Sequence, residues 1–388
     1  MRNKHRKGAK VNAYLVDPRP LLRFDFGPNH PFKIDRLGLT FELMEAYGLT
    51  GKDKGVSLII PREASEEEAS SFHTKDYLEI LRLAGSGIWI SNLASYGLAT
   101  PDNPIFPEVY GWGMLVAGGS IDAARSLLSG GRVAFNFAGG LHHAMPSRAS
   151  GFCHINDPVL AIEALRATGR RVAYLDIDAH HGDGVQKAFY ASPDVLTISI
   201  HQSGYTIFPG SGFVDEIGEG PGRGYSVNIP LLPGAGDEAY ALAFDRVVIP
   251  LLQAYAPDVL VTQLGADPLI GDAVAALRLS IHGFEGCVRR ISRLDLPWLA
   301  LGGGGYDLGN VARAWTLAWG VMLGEELPDR IPLEWSTMAA SRGIAVSSLR
   351  GFGKVPATPE RVIVELERTI EEIEREVFPI VMEGGSEG

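Results

Sequence analysis

RRVAYLDIDAHHGDG, residues 170–184, runs from a short apolar stretch straight into a cluster of charge. Val172, Ala173, Tyr174 and Leu175 suit a buried parallel strand, and this run ends abruptly in three acids and two histidines. Strand side chains alternate, so Asp176, Asp178 and, if the extended geometry continues, His180 share one face. Two carboxylates and an imidazole are the composition of a divalent-metal site. Taken alone, the motif reads more readily as a polar loop capping the next helix, and the rest of the chain overturns that reading.

Outward from this stretch the same pattern repeats. Residues 133–137 lead into Ala138-Gly139-Gly140-Leu141-His142-His143, and 195–200 into His201. Residues 259–264 lead into Gly265-Ala266-Asp267, and Trp298–Leu301 into four glycines and Tyr306. Helical spacing or capping marks 34–47, two short pieces within 65–83 on either side of His73, 108–128, the segment opened by Asn156-Asp157-Pro158, and a late helix with Val362, Leu366, Ile370, Ile373 and Val377 on one face. Alternating strands and helices with chemistry at each strand's C-terminal end predict an α/β fold with a single open, mostly parallel sheet, helices on both faces and the site beyond the strand ends. Residues 1–388 are expected to form one domain, with a flexible basic tail over 1–10 and a frayed tail over 379–388.

Composition narrows the function. With 388 residues, 46% hydrophobic and 21% charged, the chain has the make-up of a globular enzyme. A formal net charge of −11 repels a phosphate backbone and attracts cationic substrates, so direct nucleic-acid binding is not expected. Two cysteines, Cys153 and Cys287, exclude a disulfide framework and a CxxC metal site. With no long apolar window, the expectation is a cytoplasmic protein without a membrane span.

The constellation suggests chemistry. Asp178, His180 and Asp267 form a three-ligand set that leaves positions for water and substrate. Two carboxylates weaken the ion's pull on water, so a general base is needed, and His142-His143 supplies candidates. Asp176 and Asp183 are available to fix their tautomers, Tyr306 to stabilise an oxyanion, and Asp102 sits in a long loop that could rim the site.

Five segments, GGLHHAMPSRASGFCHIND, YLDIDAHHGDGVQKAFY, FPGSG, QLGADPLIGD and LGGGGYDLGNVARAW, resemble the histone deacetylase family, zinc-dependent enzymes of the arginase/deacetylase fold. NHPF and YGLATPDNPIFPE are most similar to the prokaryotic acetoin-utilisation type. The resemblance implies zinc, with iron(II) as an alternative, on Asp178, His180 and Asp267. It implies His143 as general base and acid, His142 as its electrostatic partner, Asp176 and Asp183 behind them, and Tyr306 at the oxyanion. Gly151, Phe152 and Phe208 would line the acyl-lysine channel, Asp102 and Val274 the mouth, and Arg36 the foot of the pocket. A structural potassium near Asp176 and Ser199 is also implied. FPGSG departs from the FPGTG of many relatives. The implied activity is hydrolysis of the acetamide of N-acetyl-lysine in proteins, releasing acetate; the alternatives are an acetylpolyamine deacetylase acting on small acetylated amines and a non-catalytic acyl-lysine binding module, against which every expected catalytic residue is present. A two-metal ureohydrolase lacks its extra carboxylates, because Gly182 and Leu269 stand where they would be needed.

Polyamine-selective relatives carry glutamate where this chain has Val274. Such an acid attracts a distal ammonium by about 1 kcal/mol at 4 Å in water and about 4 kcal/mol at an effective dielectric of 20. Wild type is therefore expected to prefer acetyl-lysine peptides, and Val274→Glu to move the kcat/KM ratio toward acetylspermidine, most at low salt. A wild type that already favours acetylspermidine over every peptide tested contradicts this.

Overall fold

The computed structural model describes residues 12–351 and 355–384, so the basic tail expected over 1–10 lies outside the described residues. Its strands are β1 (Ala13–Val16), β2 (Val56–Ile59), β3 (Val133–Asn136), β4 (Val172–Asp176), β5 (Val195–Gln202), β6 (Ser226–Leu231), β7 (Val259–Gln263) and β8 (Trp298–Leu301). They pair in one eight-stranded sheet in the order β2-β1-β3-β8-β7-β4-β5-β6. Every pairing is parallel. Sequence periodicity identifies β3, β4, β5, β7 and β8. It gives no clear signal for β1, β2 and β6, whose short or proline-containing runs lack a distinctive pattern.

Side-chain alternation divides the core in two. On β4, Ala173 and Leu175 join one buried cluster while Val172 and Tyr174 join the other. The smaller cluster lies under helices Val109–Leu128, Asp157–Arg166 and Asp183–Phe189, and the larger under Asp35–Ala46, Ile281–Ser292 and Leu308–Met322. Helices thus cover both faces, as a parallel sheet buried on both sides requires. The late helix spans Glu360–Glu376 and buries Val362, Leu366, Ile370 and Ile373 as its spacing predicts. The frayed tail does not begin at 379, because Phe378–Gly384 is helical and buries Val381 against the core. Residues 385–388 lie outside the described residues.

Four neighbouring strands, β3, β8, β7 and β4, form the middle of the sheet. The segments that leave their C-terminal ends carry His142-His143, Tyr306, Asp267 and the Asp178-to-Asp183 cluster respectively. Adjacent strands deliver adjacent ends, so residues more than a hundred positions apart meet in one place.

Leu175 is fully buried on β4, between β5 and β7. Leu175→Ala is expected to cost about 2–5 kcal/mol, read as a lower denaturant midpoint with an unchanged slope. A loss below about 1 kcal/mol would contradict the tight packing of this strand.

Candidate active site

Asp178, His180 and Asp267 each bring one ligand atom to a common point, all within 4.8 Å of one another. His180 Nδ1 lies 2.9 Å from Asp267 Oδ2 and 3.3 Å from Asp178 Oδ1. Backbone amides orient both acids. Gly304 N–H donates to Asp178 Oδ2 at 2.7 Å, and Ala179 N–H to Asp267 Oδ1 at 2.9 Å. The site is short of positive charge. Burial lowers the basicity of His180, yet Asp178 and Asp267 outweigh it and hold its pKa up to about 10. Burial and the neighbouring Asp178 carboxylate push the Asp267 carboxyl up. A buried imidazole between two carboxylates, crowded and in need of a cation, fits a divalent metal bound through nitrogen and oxygen.

Two of the four glycines before Tyr306, Gly303 and Gly304, serve this crowding. A Cβ on Gly304 would lie 2.1 Å from Asp267 Oδ2, and one on Gly303, at φ +120, 2.5 Å from Gln263 Nε2. A Cβ on Gly303 would also come within 2.7 Å of Asp178 Oδ2, so at these two positions glycine is required sterically, in addition to the freedom it lends the turn.

Both histidines of the tandem pair are buried and backed by acids. His142 Nδ1 donates to Asp176 Oδ2 at 2.8 Å, His143 Nδ1 donates to Asp183 Oδ1 at 2.7 Å, and the two Nε2 atoms are 3.0 Å apart. Tyr174 O–H also donates to Asp176 Oδ2, at 2.8 Å. Although burial works against protonation, Asp176 and Asp178 hold the pKa of His142 up to about 9. Burial and the charge on His142 push His143 down to about 4. His142 is thus biased toward its charged form and His143 toward its neutral form, an opposition set by their surroundings.

A small cavity opens onto these groups, lined among others by Phe32, Leu141, Gly151, Phe152, Cys153 and Tyr306. Burial raises the Tyr306 pKa well above its usual value, with Asp267 and Asp178 adding to the effect, so the phenol stays an O–H donor. Phe152 packs edge-on to Tyr306 at 5.8 Å, and Phe208 edge-on to His143 at 5.0 Å. Phe152 holds φ +69, a left-handed conformation costly for an aromatic residue and characteristic of functional sites. Arg36 is fully buried, stacked 3.9 Å over Phe32, and its Nη1 donates to Gly305 O at 3.2 Å. Asp102 reaches the site through its backbone, where its carbonyl accepts from His30 Nε2 at 3.1 Å and the His30 ring packs 4.7 Å from Phe152. Val274 is half-buried outside this lining, its N–H donated to Asp272 Oδ1 at 3.0 Å. The other Asp272 oxygen accepts from Tyr306 N–H at 2.8 Å.

Several participants escape sequence reading. Gln263 ends β7 and donates to Gly140 O at 2.8 Å. His73, at the junction between two short helices, is buried and accepts Asn156 N–H at Nε2, 2.9 Å away. Ser211, the residue by which FPGSG departs from FPGTG, places its hydroxyl 2.9 Å from His181 Nδ1. A glutamine or serine within a strand or loop carries no spacing signal, and only tertiary contact reveals its partner.

With this geometry in hand, similarity to known proteins is informative. Residues 30–322 match the histone deacetylase domain. Histone deacetylase 9 of Arabidopsis thaliana is 43% identical over 311 residues, covering 79% of this chain and 72% of the plant protein. Human histone deacetylase 1 is 40% identical over 314 residues, covering 79% of this chain and 64% of the human protein. The crystal structure of an HDAC homologue from Aquifex aeolicus superposes with a TM-score of 0.85 at 34% identity, covering 93% of this chain and all of that one. An HDAC homologue crystallised with SAHA matches equally well.

If Asp178, His180 and Asp267 hold the metal, Asp267→Ala is expected to lose most bound divalent metal while remaining folded, since the sheet has its own core. Elemental analysis beside circular dichroism checks this. Stoichiometric metal in the folded variant would contradict the ligand set.

Proposed function

Because the chain belongs to the histone deacetylase family, we propose that it hydrolyses the acetamide of N-acetyl-lysine in proteins, consuming water and releasing acetate and the free amine. The observation that carries this reading is the junction of the Asp178-His180-Asp267 cluster with an acid-backed histidine pair and Tyr306 around one cavity. A divalent ion held by that cluster, zinc on this reading and iron(II) as the alternative, would supply Lewis acidity to the carbonyl and the attacking water. His143 takes the water's proton at Nε2, its Nδ1–H anchored on Asp183, and returns a proton to the departing amine. His142 contributes positive charge beside it, held by Asp176. Tyr306 donates its O–H to the developing oxyanion. Phe152 and Phe208 flank the lysine methylenes against Gly151, Asp102 engages the substrate backbone at the mouth, and Arg36 lies at the foot of the pocket.

A potassium near Asp176 and Ser199 is supported by the pairing of these residues across β4 and β5. The likeness to acetoin-utilisation deacetylases rests on NHPF and YGLATPDNPIFPE. A reducing, cytoplasmic location is supported by Cys153 and Cys287, both free and buried. No helix among the described residues is long and apolar enough to cross a membrane. The whole chain is read as one deacetylase domain acting on acetylated lysines, without direct nucleic-acid contact.

Tyr306→Phe removes one donor from the transition state and little else. With an acetyl-lysine peptide it is expected to lower kcat by about 10²–10³-fold with a smaller change in KM. A rise in KM alone would make Tyr306 a binding residue, and unchanged kinetics would remove it from the chemistry.

A further inference from the structure

The His142-His143 pair sits on a segment that is neither strand nor helix, and every residue from Gly139 to Ala144 is buried. Buried irregular backbone is costly because its N–H and C=O groups have lost water. Three side chains answer that cost here. Asp157 Oδ1 accepts Gly140 N–H at 3.0 Å and Leu141 N–H at 2.8 Å, while its Oδ2 accepts Ser120 O–H at 2.5 Å. Asn156 Nδ2 donates to His142 O at 3.2 Å and to Ala144 O at 2.9 Å. Gln263 Nε2 donates to Gly140 O.

Asn156 and Asp157 are consecutive, at the start of helix Asp157–Arg166, and only part of their bonding serves that helix. Asn156 Oδ1 caps it by accepting Val159 N–H at 3.1 Å, whereas the Asp157 carboxylate turns away to the loop. Asp157 is fully buried, and its partners are a hydroxyl and backbone amides rather than a cation. Burial pushes its carboxyl up to about 6 against the pull of those donors. Such a carboxylate is an expensive way to gain stability. The chain also leaves room for the contacts, since a Cβ on Gly139 would lie 2.3 Å from Asp157 Oδ2 and one on Gly184 2.6 Å from Asn156 Nδ2.

We propose that Asn156 and Asp157 are positioning residues for the reaction, clamping the backbone on both sides of the histidine pair so that the two rings keep their place above the metal ligands. Neither touches substrate or the reacting atoms; they act through residues 140–144. This inference rests on the deacetylase reading for its kinetic consequence, and on geometry alone for the clamp.

The test compares Asp157→Ala and Asp157→Asn with Ile162→Ala, which removes a fully buried side chain from the same helix and leaves the loop's hydrogen bonds intact. On an acetyl-lysine peptide, Asp157→Ala is expected to lower kcat by about 10²-fold, the size of effect that a displacement of about 1 Å produces. KM should stay within about threefold, because the aromatic walls are untouched. Asp157→Asn keeps one acceptor oxygen and should fall by about tenfold, the equivalent of one hydrogen bond. It carries the comparison if Asp157→Ala does not fold. Ile162→Ala should keep its kcat at temperatures where it is folded. Hydrogen exchange over residues 139–144 needs no activity. Protection there should be lost in Asp157→Ala while Val172–Asp176 stays protected. Wild-type kcat in the folded Asp157 variants, a fall matched by Ile162→Ala, or unchanged exchange over 139–144 would each overturn the proposal. If wild type itself releases no acetate, the deacetylase reading fails and the exchange experiment alone decides the clamp.

Discussion

The structure depends on concentrating negative charge where water is scarce. Asp176, Asp178 and Asp267 are all at most 1% exposed, gathered beyond the ends of two adjacent parallel strands. Unpaired carboxylates in such a place would neutralise themselves by taking protons. Here each is engaged: Asp176 by His142 and Tyr174, Asp178 by Gly304 N–H and His180, Asp267 by Ala179 N–H and His180. The remaining demand for positive charge is what suits the site to a divalent ion, and much of the surrounding sequence is shaped by it. Glycines crowd against the acids, aromatic rings line the cavity, and the histidine pair is biased in opposite directions, His142 toward the charged form and His143 toward the neutral one.

A parallel sheet makes this concentration possible because its strands all deliver their C-terminal ends to one edge. The two halves of the site come from segments far apart in the chain, 139–183 and 263–306. Their relative position is fixed by the β3-β8 and β4-β7 pairings rather than by local structure. The sheet can be stabilised by its two hydrophobic clusters independently of the site, which leaves the charged edge free to be arranged for chemistry.

The sequence makes legible those features that rest on short-range pattern. The strand of residues 172–176, its terminal Asp-x-Asp-x-His, and the Gly-rich approaches to His142-His143 and Tyr306 all carry a local signal, and the structure brings them together. Asp102 and Val274 carry no such local signal: their expected place at the mouth comes from resemblance and, for Asp102, from the length of its loop, and the structure adds that the Asp102 carbonyl accepts from His30 and that Val274 N–H is held by Asp272. Asn156 and Asp157 show a further limit, since the same Asn-Asp-Pro that reads as a helix start also braces a loop lying more than ten residues before it. Edge strands β2 and β6 are hidden for a different reason. Their identity comes from a neighbour to pair with, and no short window of sequence contains that neighbour.

A metal held by Asp178, His180 and Asp267 would make hydrolysis of acetyl-lysine depend on that ion. Acetate release from an acetyl-lysine peptide by the purified protein, measured before chelation, after exhaustive chelation and after zinc is added back, tests it most directly. The expected result is release by the untreated protein, loss on chelation and recovery with zinc near one equivalent. Full activity in the metal-stripped protein, or no acetate from any peptide with the metal present, would contradict it.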